Sequence, residues 1–62
     1  MTEAELLVLV KERYPTLDTA IQDRVARAAT HVMAEPHWAR LRIKPIEAVK
    51  IASMRVYHRK SF

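Results

Sequence analysis

Apolar positions recur at helical spacing through most of the chain. Leu6, Leu7, Val10 and Tyr14 stand at i, i+1, i+4 and i+8, which is one face of a helix. Thr2 and Glu5 precede that face with the spacing of a capping box, so a first helix is expected to start there. Pro15 stops it, because the residue before a proline is pushed out of the α region.

A second stripe runs through Leu17, Ile21, Val25, Ala28 and Val32. Thr16, Asp18 or Thr19 is its candidate cap, and Thr19 with Gln22 repeats the capping-box spacing. Pro36 ends this helix near Ala34. A third helix is expected to open at Pro45, with Glu47 near the positive end of its dipole. Ile46, Val49, Ala52, Ser53, Val56 and Tyr57 would face the core. Glu47, Lys50, Ile51, Met54, Arg55 and His58 lie on the opposite side.

Residues 36–44 admit two readings. Pro36 suits the first position of a short helical turn near residues 36–41, with Trp38 and Leu41 on one side. Arg40, Arg42 and Lys44 also alternate with Leu41 and Ile43, which favours a turn followed by extended chain. No window sustains a two-residue period with turn signals, so no sheet is expected. The expected fold is all-α, a small three-helix bundle in one domain over residues 1–62, with helices at about 2–14, 17–34 and 45–59.

Composition narrows the picture. The chain has 62 residues, no cysteine and no glycine, and is 50% hydrophobic. A hydrophobic content that high argues against a disordered tail. So short a chain buries only about 60% of its unfolded surface, which leaves a thin core. Without cysteine there is no disulfide and no thiolate metal site to reinforce it. Without glycine the usual residue for left-handed turns and phosphate loops is missing. The densest apolar run, Leu6 to Val10, is far short of the roughly 20 residues that span a bilayer. It follows Glu3 and Glu5, unlike the basic start of a signal peptide. No membrane association is expected, and the cytoplasm is the expected compartment.

Charge changes the picture more. Residues 1–35 carry six acidic and four basic side chains, a net of −2. Residues 36–62 carry seven basic side chains against Glu47 alone, a net of +6. The overall +4 is therefore a partial cancellation. A basic segment of this density attracts phosphate backbones by counterion release. Arg40, Arg42, Lys44, Lys50, Arg55, His58 and Arg59 are the candidate contacts. Residues 36–59 have the rough outline of a helix-turn-helix, with Arg42-Ile43-Lys44 as the turn. Its first helix would be short and would lack the customary turn glycine. Trp38, Ile51 and Met54 are candidate anchors for a protein interface, because Ile51 and Met54 are apolar on a side that should face water. Val8, Ile51 and Met54 would also serve a homodimer.

No catalytic constellation is visible: Ser53 falls on the core side and no carboxylates are paired. His31 and Glu35 stand at i, i+4, yet no recognised zinc spacing includes His31, His37 or His58. No enzyme activity, cofactor or metal is expected.

Four segments carry a family resemblance: Tyr14-Pro15-Thr16-Leu17, Arg24 to Ala29, Glu47 to Ala52, and Tyr57-His58-Arg59. In these the chain resembles a short helical domain family of unknown function found in bacteria and fungi. That family carries an Arg-His pair where this chain reads His58-Arg59. The resemblance implies a helical fold and no particular activity. The expected function is a small basic regulatory protein that binds nucleic acid, DNA first, through the third helix and residues 40–44. The alternative is an inhibitor or adaptor that docks the third helix on an acidic protein.

Overall fold

The computed structural model describes residues 2–60, and for His58, Arg59 and Lys60 it describes the backbone alone. The described residues form four helices: α1 (Glu3–Arg13), α2 (Thr19–Ala34), α3 (Pro36–Leu41) and α4 (Pro45–Lys60). No strand occurs among them, and the all-α class holds. None of these helices is long and apolar enough to cross a membrane.

Local rules explain the ends of α1. The Thr2 hydroxyl accepts the Glu5 N–H at 3.3 Å, and Glu5 Oε1 accepts the Thr2 N–H at 3.3 Å, which completes the capping box. Before Pro15 the helix gives way at Tyr14, whose N–H still reaches the Val10 carbonyl at 2.7 Å.

The cap of α2 is one of the three expected candidates. Asp18 occupies the cap position but makes no side-chain hydrogen bond. Gln22 does not complete a capping box either. It is buried, and its Nε2 donates to the Tyr14 carbonyl at 3.0 Å. Burial of an amide is tolerable because that bond satisfies it, and the same carbonyl also accepts the Leu17 N–H at 3.3 Å.

Residues 36–41 are helical, as the short turn expected there, and the extended chain expected after it gives way at Arg42 to a left-handed residue. Glu35 holds an extended backbone between α2 and α3, as the residue before Pro36 should. At the other end Arg42 turns left-handed, with φ 52° and ψ 49°. The exposed–buried alternation at Arg42, Ile43 and Lys44 comes from this helix cap rather than from a strand.

Helix α2 is the centre of the packing, with α1, α3 and α4 all resting on it. Glu3 at the start of α1 lies beside Arg27, and Tyr14 past its end lies beside Gln22, so α1 and α2 run antiparallel. The fully enclosed core is Leu6, Val10, Val25, Ala26, Ala29, Val32, Ala48, Val49 and Ala52. Four of these nine are alanine, so two helices can approach closely but little apolar area is buried.

The buried faces are rotated from those the apolar stripes suggested. On α2, Ala26 and Ala29 are enclosed while Ile21 and Ala28 are only half-buried. On α4, Ala48 is enclosed, Ile51 is half-buried against the core, and Tyr57 is 42% exposed. Ile51 therefore does not face outward as expected, and Tyr57 does not face the core.

Candidate functional site

The basic residues converge on the passage from α3 to α4. Arg40 lies on α3, Arg42 closes it, Lys44 precedes Pro45, and Lys50 lies on the second turn of α4. All four side chains are exposed, and none has an ion-pair partner among the described residues. The passage is held by its backbone. The Arg42 N–H donates to the Ala39 carbonyl at 3.2 Å, and the Ile43 N–H donates to the Trp38 carbonyl at 3.5 Å. These two bonds, with Arg42 left-handed, form a Schellman motif. Its usual hydrophobic partners are present, since Trp38 and Ile43 both pack on the core. Glu47 Oε2 accepts the Lys44 N–H at 3.4 Å and so caps α4.

Arg55 is placed differently. It forms two hydrogen bonds to Glu35, Nη1 to Oε2 at 2.6 Å and Nη2 to Oε1 at 2.9 Å. A bidentate pair of this kind is directional and ties α4 to the junction of α2 and α3. The guanidinium is thus committed within the fold. The side chains of His58 and Arg59, the remaining candidate contacts, lie outside the described residues.

The Arg55 hydrogen bonds hold the Glu35 carboxyl below its ordinary value. Partial burial pushes the other way, while the Arg55 charge, the Trp38 indole N–H and His31 add to the lowering. The same pair raises Arg55. A carboxyl lowered by folding stabilises above its unfolded value, near 4.5, and that contribution is lost as pH falls through the folded value. Glu35→Gln should lower the melting temperature at pH 7, and the gap to wild type should narrow in acid, at a pH below 4.5. Thermal melts followed by circular dichroism at both pH values test this, and a gap independent of pH would overturn the assignment.

The expected interface anchors separate. Met54 is 70% exposed, but Ile51 is half-buried. Trp38 is half-buried, packs on the core, and meets His37 edge-on at 4.7 Å. Val8 and Leu41 are exposed at 55% and 60%. The helix-turn-helix arrangement is not formed, because α3 packs on α2 and not on α4.

Ser53 is engaged at both ends of its hydroxyl. It donates to the Lys50 carbonyl at 2.8 Å, which leaves Tyr14 Oη as the donor across their 3.1 Å contact. Glu35 faces Arg55 rather than pairing with His31, and no cluster of three metal-ligating side chains occurs among the described residues. A shallow groove of about 250 Å³ lies between α1 and α2, lined by Glu3, Ala4, Leu7, Asp23 and Ala26. It falls below the roughly 300 Å³ at which small-molecule sites begin.

Two features of the site had no sequence signal beyond a neighbouring proline. Glu35 precedes Pro36, which marks a break, yet nothing local links it to Arg55 twenty residues on. Arg42 precedes Pro45 by three residues, which suits a helix stop without naming the left-handed residue. A scan against family models, a search of curated proteins and a search of solved structures each found no match to this chain.

Proposed function

We propose that this chain is a non-enzymatic binding module, regulatory in role, that engages nucleic acid at the passage from α3 to α4. One observation carries the reading: Arg40, Arg42, Lys44 and Lys50 are exposed within eleven residues and have no ion-pair partner among the described residues. Cations left unpaired in this density release counterions when they meet a phosphate backbone. Because α3 and α4 do not pack as a reading unit, the contacts go to phosphates rather than to base edges. DNA is the first expected partner, and the cytoplasm the expected setting.

Four phosphate contacts give a log–log salt slope of about −3 to −4 for duplex DNA. Affinity should fall roughly a hundredfold between 50 and 200 mM salt, and Lys50→Ala should make the slope shallower by about 0.9. Fluorescence anisotropy with labelled DNA and RNA measures both quantities. No binding at low salt to either would end this reading.

The exposure of Met54 favours a second reading, an acidic protein partner docked on α4. Met54→Asp separates the two. Nucleic-acid titrations should be nearly unchanged by it, whereas a protein interface anchored there should be lost.

A further inference from the structure

We infer that Arg42 is the anchoring phosphate contact of this surface, kept at a backbone position that favours glycine. The inference rests on the nucleic-acid reading and adds to it the reason an arginine stands at this turn.

Helix α3 ends at Leu41 and α4 begins at Pro45, so the chain must change direction within three residues. The Schellman motif does this, and it needs a left-handed residue at the position of Arg42. Glycine is the usual occupant, because any other L-residue brings its Cβ too close to the following carbonyl. Arg42 is the one described residue with positive φ, and it is exposed. Among the described residues, its side chain makes no hydrogen bond or ion pair that would stabilise the left-handed conformation. The fold gains nothing from arginine there that glycine would not supply better.

What arginine does supply is a planar donor fork that matches phosphate geometry, held at the apex of a turn. The turn is well anchored, since the flanking Trp38 and Ile43 are packed on the core. Arg40 lies two residues before Arg42 and Lys44 two after, both exposed. A phosphodiester backbone crossing this apex would meet Arg42 first and the flanking cations on either side.

The test is Arg42→Gly, with Arg42→Lys as its partner. Glycine should raise the melting temperature by about 4 °C or more, as relief of a left-handed residue in a domain of this size implies. The same variant should weaken binding to a labelled random-sequence DNA duplex by roughly eightfold at about 0.1 M salt and flatten the salt slope by about 0.9. Arg42→Lys keeps the charge and the backbone penalty, so its melting temperature and salt slope should stay near wild type.

An Arg42→Gly protein that is more stable and binds as well as wild type would overturn the inference. So would one with no gain in melting temperature. If wild type itself does not bind the duplex, it is the nucleic-acid reading that fails, which the wild-type titration reports separately.

Discussion

Leu6→Ala is expected to unfold most of the stability of this domain. Leu6 is fully enclosed between α1 and the central helix, with Val10 one turn further along the same face. Removing a buried leucine to alanine costs about 2.7–5 kcal/mol, made up of lost transfer energy and the cavity left behind. A chain of 62 residues has only about 3–9 kcal/mol in total. The melting temperature should therefore drop by at least about 10 °C. Val8→Ala, two residues along and 55% exposed, should change stability by less than about 0.5 kcal/mol. Urea denaturation followed by circular dichroism compares the two, and equal effects would mean that α1 is rotated from the orientation described.

Ala52→Leu tests the same core from the other side. Ala52 is fully enclosed on α4 and belongs to the group of four alanines contributed by α2 and α4. Small side chains there set the distance between the two helices. A leucine has no space to occupy, so it must adopt a poor rotamer or push α4 away from α2, at about 1–3 kcal/mol. Displacing α4 also strains the tethers on its two flanks, Tyr14 to Ser53 and Glu35 to Arg55. The loss should thus fall at the upper end of that range and lower the melting temperature by at least about 12 °C. Ala20→Leu on the exposed side of α2 is the control and should be nearly silent. If both substitutions are silent, α2 and α4 are not in close contact at their alanines.

The contrast between these sites explains how far the residues could be read in one dimension. Helix positions were legible because their causes lie within four residues. The Thr2–Glu5 capping box, the stops before Pro15 and Pro36, and the start at Pro45 all act through local hydrogen bonds or through φ. The partition of charge was legible for the same reason, since a count needs no geometry.

The rotation of each helix was not legible. Apolar stripes give most weight to large side chains, which placed Ile21 on the buried face of α2 and Tyr57 on that of α4. Packing instead selected Ala26, Ala29, Ala48 and Ala52, because close approach of two helices depends on what is small enough to fit between them. Gln22 shows the same limit, as its burial depends on a carbonyl eight residues away.

The binding surface divides along the same line. The basic bias of residues 36–62 follows from the order of the amino acids alone. Which of those cations remain available follows from contacts between distant segments. Arg55 is engaged by Glu35 across twenty residues, while Arg40, Arg42, Lys44 and Lys50 are left exposed. The left-handed turn at Arg42 arises because α3 and α4 must each meet the core within a three-residue passage. Short-range preferences decide where helices begin and end. The mutual packing of α1, α3 and α4 on α2 decides which faces are buried and which charges are free, because it depends on distances no local pattern contains.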